Sequence, residues 1–193
     1  MTAPLLVVVG AGEEVAGFVD DRVAAGSRVL DLPVLGTLAW LVREPRRVAL
    51  GIGDNATRAR VAARCLEAGS ELVRAIHPRA VVAPSARIAE GAVVMAAAVV
   101  NPSAEIGRGA IVNTAAVIEH DCVVGPFAHV SPNATLGGGA GVGEEAHLGI
   151  GATMLPGVKV GARSVIGGGA LVARDVPGDV VARGVPARVA RPR

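Results

Sequence analysis

Four histidines carry most of the reactive chemistry in this chain of 193 residues: His77, His120, His129 and His147. An imidazole is the side chain best suited to take a proton from an attacking amine or hydroxyl near neutral pH. His120 is the best placed of the four, because it lies in the string Glu119-His120-Asp121 and a neighbouring carboxylate raises its basicity. Asn113 precedes it by seven residues and can orient an imidazole or bind a substrate. His129 follows His120 by nine residues, and His147 follows His129 by 18. His77 and His147 read as solvated turn residues. Cys65 and Cys122 are too few for a disulfide framework or a four-thiolate metal site.

The scaffold that must hold these groups is written in a six-residue period. Every sixth position from Ile76 to Val172 is aliphatic, 17 times without a slip, and 14 of the 17 are β-branched. Four positions after each comes a small residue, 13 times Ala, with Cys122 in the same column, so that thiol reads as core packing. The position directly after the aliphatic is often Gly or Asn, as at Gly107, Asn113, Gly125 and Gly137, which suggests that the turn needs positive φ there. A period of six fits neither a helix nor a hairpin meander. It fits a solenoid in which each hexad is one short strand plus a turn, with one bulky and one small residue facing inward.

Composition agrees with a narrow, regular interior. Hydrophobic residues make up 51% of the chain but aromatics only 2%. A net charge of +2 and the scarcity of aromatics leave no nucleic-acid footprint. The first residues lack a basic leader, and their apolar run, Leu5–Val9, is far short of a membrane span, which predicts a cytoplasmic protein with no membrane partner.

Residues 1–75 have no six-residue phase. Strands are predicted at Leu5–Val9, Glu14–Asp20, Val48–Ile52 and Leu72–Ile76, with a helix at Ala56–Ala68 capped by Asp54 or Asn55. Strands alternating with helices imply a small parallel α/β domain. Residues 76–176 are the repeat, and 177–193 are a cap over the solenoid's open end, with a basic tail of Arg188, Arg191 and Arg193.

The order of these parts, together with the strings Gly17-Phe-Val-Asp-Asp21, Gly51-Ile-Gly-Asp-Asn55, Ile76-His-Pro78, Val112-Asn-Thr-Ala-Ala-Val-Ile-Glu-His-Asp-Cys122, Ala128-His-Val-Ser131 and Gly184-Val-Pro-Ala187, resembles the hexapeptide-repeat sugar N-acetyltransferases. Those enzymes acetylate an amino group on nucleotide-linked 4-amino sugars and have sialic-acid O-acetyltransferase relatives. The resemblance implies an α/β domain followed by a left-handed parallel β-helix, in which three hexads make one coil and residues 18 apart stack. It also implies a homotrimer with acetyl-CoA in the clefts between subunits and no metal. His120 is then the catalytic base with Asp121 and Asn113 beside it. His129, Gly138, Ile150 and Gly168 line the coenzyme path, with the Gly138 amide as an oxyanion donor. Gly10, Asp20, Asp21 and Gly53 bind the amino-sugar substrate. One departure stands out: Gly10-Ala-Gly12 runs through Glu13-Glu14 almost at once into the second strand, so the family's first helix is missing. Sugar O-acetyltransfer on the same scaffold and a non-catalytic trimer are the alternatives. A γ-class carbonic anhydrase is disfavoured, because its close-spaced histidine pair is absent.

Overall fold

A computed structural model describes residues 5–9 and 14–193. The chain divides into two compact units, Met1–Arg74 and Ala75–Arg193.

In the first unit, β1 (Leu5–Val9), β2 (Val15–Val19), β3 (Arg28–Val29), β4 (Leu32–Gly36), β5 (Arg47–Gly51) and β6 (Glu71–Leu72) form one sheet in the order β3-β4-β2-β1-β5-β6. Two helices accompany it, α1 (Leu38–Arg43) and α2 (Asn55–Glu67). Asp54 caps α2, its side chain accepting the Thr57 N–H at 2.8 Å. The expected parallel sheet is corrected by the structure: β2 pairs parallel with β4 and β5 with β6, but β1 runs antiparallel to both its neighbours. The reason is chain length. A parallel connection needs a crossover of about a dozen residues or more, and only residues 10–14 separate β1 from β2. Without the first helix, β1 can join its neighbour only as a hairpin, so its direction is inverted.

The second unit holds 17 two-residue strands, β7–β23, one per hexad from Ala75–Ile76 to Leu171–Val172. They stack in parallel ladders with a register of 18, as in Ile111↔His129 and His129↔His147. Three faces result. The first continues through β24 (Val180–Arg183) into β25 (Arg188–Pro192) as an eight-stranded sheet, and the others have six and five strands. This is a left-handed parallel β-helix. The predicted strand over Leu72–Ile76 is in fact two, split at Val73 and Arg74: β6 closes the first sheet and Ala75–Ile76 opens the solenoid.

The interior follows the six-residue reading. Val94, Val100, Ile106, Val112, Ile118, Val124 and their successors are buried, and the residues of the small column, every sixth from Ala92 to Ala152, are fully buried between them. Each inward aliphatic contributes roughly 1.5–3 kcal/mol on burial. The turn residue, however, is displaced from its predicted place. Positive φ falls three positions after the aliphatic, at Gly109 (61°), Ala115 (54°), Asp121 (58°) and Phe127 (53°) among others, not one position after. The glycines directly after the aliphatic have a steric cause instead. A Cβ at Gly107, Gly125, Gly137, Gly143 or Gly149 would stand 2.5–2.7 Å from backbone nitrogen of the next coil.

Among the described residues no helix is long and apolar enough to cross a membrane.

Candidate active site

His120 lies in the corner between the second and third faces, just before Asp121, whose left-handed backbone (φ 58°) turns the carboxylate back toward the imidazole. His120 Nδ1 and Asp121 Oδ2 are 2.8 Å apart. The carboxylate therefore accepts the Nδ1 proton and leaves the Nε2 lone pair pointing away. The ring is 63% exposed. Its pKa is held above the ordinary imidazole value chiefly by that hydrogen bond, with the charges of Asp121 and Glu119 acting in the same sense and desolvation opposing.

The ring is laid over Gly138, one coil above. A Cβ at Gly138 would be 2.6 Å from His120 Nε2 and 2.7 Å from Cε1, so only glycine admits this pose. The same corner position is occupied in successive coils by Pro84, Pro102, His120, Gly138 and Pro156. Proline has no N–H, so the fold does not use a donor at this place. The Gly138 amide accordingly donates to no backbone carbonyl among the described residues, while its carbonyl accepts from Gly157. A proton acceptor and a main-chain donor thus sit side by side.

Asn113 does not touch His120. Its Oδ1 accepts the Thr114 N–H at 2.8 Å, which fixes the amide orientation, and its Nδ2 lies 3.0 Å from Nε2 of His129. His129 is on the first face, on the opposite side of the prism from the His120 corner, and His147 stacks over it with ring centroids 4.8 Å apart and planes tilted by 54°. Ser131, 3% exposed, bonds Nε2 of His147 at 3.0 Å. Sequence reasoning missed Ser131 and gave His147 no partner. The signal was present: Asn113 and Ser131 each precede a histidine by 16 residues. His77 is occupied locally, its Nδ1 accepting the Arg79 N–H at 3.0 Å.

Ile150, 65% exposed, and Gly168 stack at the third corner, between the first and second faces. Within one chain, then, His120, Asp121 and Gly138 form one group, Asn113 and His129 a second, and Ile150 and Gly168 a third.

In the first unit, Asp20, Asp21 and Gly53 lie beyond the C-terminal ends of β2 and β5, flanking the start of β1. Asp20 Oδ1 accepts the Arg22 N–H at 2.8 Å, and Asp21 Oδ1 accepts the Leu38 N–H at 2.7 Å at the start of α1. Arg58, fully buried, donates to the carbonyls of Ile52 at 2.9 Å and Gly53 at 3.2 Å, anchoring that loop. Gly10 lies outside the described residues. Val9 before it pairs with Val15 and Arg47, the first residues of β2 and β5, at the edge opposite Asp20 and Gly53.

Among the described residues no group of three or more His, Cys, Asp or Glu is gathered to hold a metal ion.

The sequence matches no family model, and no curated protein is a significant match. Solved structures do match. A histidine-to-asparagine variant of perosamine N-acetyltransferase from Caulobacter crescentus, in complex with CoA and GDP-perosamine, is 44% identical with a TM-score of 0.86, over 92% of this chain and 86% of that one. The acetyltransferase domain of PglB from Neisseria gonorrhoeae, in complex with acetyl coenzyme A, is 38% identical with a TM-score of 0.84, over 89% and 84%. WeeI from Acinetobacter baumannii, 19% identical with a TM-score of 0.63 over 86% and 81%, shares the fold.

Proposed function

Because the chain belongs to the hexapeptide-repeat sugar N-acetyltransferases, we propose that it transfers the acetyl group of acetyl-CoA to the amino group of a nucleotide-linked amino sugar, with His120 as general base. The observation that carries this reading is the His120–Asp121 dyad laid against Gly138. As the sugar amine attacks the thioester carbonyl, its lone pair forms the new C–N bond and the carbonyl oxygen becomes an oxyanion. His120 Nε2 takes a proton from the nitrogen, and the Asp121 carboxylate, 2.8 Å from Nδ1, stabilises the resulting imidazolium. The Gly138 N–H meets the oxyanion, an interaction worth about 3 kcal/mol where it has been removed in other enzymes. Collapse restores the carbonyl, breaks the C–S bond and releases CoA, whose thiolate recovers the proton.

His129, the backbone at Gly138, and Ile150 and Gly168 are assigned to the coenzyme. They stand on different sides of one prism, so a complete site needs more than one copy of the chain. The distribution of charge supports a homotrimer. The outward residues of the first face are Ala75, Val93, Ile111, His129, His147 and Val165, and those of the second are Val81, Val99, Val117, Thr135, Thr153 and Leu171. These hexad positions carry no Lys, Arg, Asp or Glu, whereas those of the third face carry Arg87, Glu105 and Lys159. The charges of the first face, Arg183, Arg188 and Arg191, are confined to its terminal strands β24 and β25. Two uncharged faces suit contact with two neighbouring subunits. A ring in which the second face of one subunit meets the first face of the next brings His120 of one toward His129 of the other.

Asp20, Asp21 and Gly53 are assigned to the acceptor. Ligands of open α/β sheets bind beyond the carboxyl ends of the strands, and these residues occupy that edge. Gly10, assigned to the acceptor with them by the family resemblance, lies outside the described residues.

The test is an acceptor screen with acetyl-CoA, following release of free thiol with GDP-, UDP- and dTDP-linked amino sugars and with free sugars. A nucleotide-linked amine should be turned over fastest. Release with none of them, or only with hydroxyl acceptors, would refute the reading.

A further inference from the structure

The geometry points to His147 and Ser131 as a positioning pair for His129, holding the ring in the orientation in which Asn113 fixes the tautomer that this imidazole presents to the thioester substrate. The inference rests on the coenzyme role proposed for His129.

Four observations carry it. First, the device is duplicated. Asn113 and Ser131 occupy equivalent places one coil apart, and each reaches Nε2 of the histidine 16 residues later at 3.0 Å. Secondly, in this column a side chain that hydrogen-bonds the outward residue is seen only where that residue is a histidine; His77, 16 before Val93, is taken up locally by the Arg79 N–H. Where the outward residue is Ile111 or Val165, the residue 16 before it is Met95 or Gly149. Thirdly, the ladder places His129 between Ile111, on the coil below, and His147, on the coil above, with the imidazoles 4.8 Å apart. Fourthly, Ser131 is buried, only 3% exposed, so its hydroxyl is committed to this place.

The two polar partners differ in what they dictate. Asn113 Oδ1 is taken by the Thr114 N–H, so Nδ2 is the group facing His129 and can only donate. His129 Nε2 is therefore the acceptor, and the ring proton of the neutral imidazole sits on Nδ1. A serine hydroxyl both donates and accepts. Ser131 can thus hold His147 in place whichever nitrogen of His147 bears the proton. His147 is a fixed wall against His129, and the Asn113 bond is kept because the ring cannot swing upward out of it.

The experiment compares wild type, His147→Ala, His147→Phe and Ser131→Ala as full chains with 15N-labelled histidine. Long-range proton–nitrogen correlations report the His129 tautomer, and steady-state kinetics on the same samples report KM for acetyl-CoA and for the acceptor. Wild type should show His129 protonated on Nδ1. His147→Ala should give a mixture of tautomers and raise KM for acetyl-CoA about tenfold, the scale on which a slightly misplaced binding group acts, with KM for the acceptor unmoved. His147→Phe keeps a ring and should restore both signals, and Ser131→Ala should move them in the direction of His147→Ala by less. A wild-type His129 protonated on Nε2 would overturn the inference. So would a folded His147→Ala variant with unchanged His129 resonances and acetyl-CoA KM. Failure of the coenzyme role reads out separately: His129→Ala would then leave acetyl-CoA KM unchanged, while the tautomer shift in His147→Ala would still report the positioning.

Discussion

A methyl group on Gly138 would stand 2.6 Å from Nε2 of His120, the atom proposed to accept the substrate's proton. The ring is largely solvent-exposed and can swing aside, so Gly138→Ala costs alignment rather than folding. We expect kcat to fall about 100-fold, the loss expected when a reacting group is displaced by about an ångström, with the thermal midpoint nearly unchanged. Kinetics paired with a thermal melt check this. A variant of wild-type kcat would separate the Gly138 contact from catalysis.

The carboxylate of Asp121 governs the pH at which the base becomes available. A general base works in its neutral form, so activity falls as pH drops through the His120 pKa. That pKa is raised, chiefly by the hydrogen bond to Asp121. Asp121→Asn removes the charge, and asparagine tolerates the same left-handed backbone. The acid limb of kcat/KM should therefore move to lower pH, because the imidazole stays neutral further down. The plateau should drop about tenfold as the base weakens. A pH–rate profile in which the limb stays still or moves upward would contradict the assignment.

The uncharged faces predict where association breaks. Val117 stands at the middle of the second face, and Glu105 on the charged third face. Val117→Asp should convert the assembly to smaller species in light scattering, since an unpaired carboxylate is costly to bury. Glu105→Gln should leave the mass unchanged. The reverse pattern would move the contact to the third face.

The solenoid was legible in the sequence because its period is a packing rule. An inward aliphatic every six residues and a small residue four later determine the buried columns, and from Ala92 and Val94 onward both lie where the pattern puts them. In the first coil, open at its end, Ile76 is exposed and Val82 and Ile88 are only partly buried. Turn geometry was less legible. Gly107 and Asn113 drew attention to the position after the aliphatic, but the left-handed residue is two places further on and is often Ala, Ser, Asp or Phe. There the regular coil overrides local preference. The first sheet misled for a different reason. The missing helix was visible between Gly12 and Val15, yet its consequence, the inversion of β1, belongs to the connection and not to any residue. Around the site, Glu119-His120-Asp121 announced the dyad, because the partners are adjacent in the chain. The attachment of Asn113 to His129 was hidden, because it spans 16 residues and exists only once the coils stack.

The central claim, that His120 of one subunit serves a thioester held by its neighbour's His129, is tested most directly by mixing subunits. His120→Ala and His129→Ala proteins, each with strongly reduced activity alone, are unfolded and reassembled together in equal amounts. Random trimers in which each site draws one histidine from each of two subunits should regain about a quarter of wild-type activity, since half the sites have each group intact. If the two histidines serve separate sites or one subunit alone, the mixture will be no more active than the average of its parents.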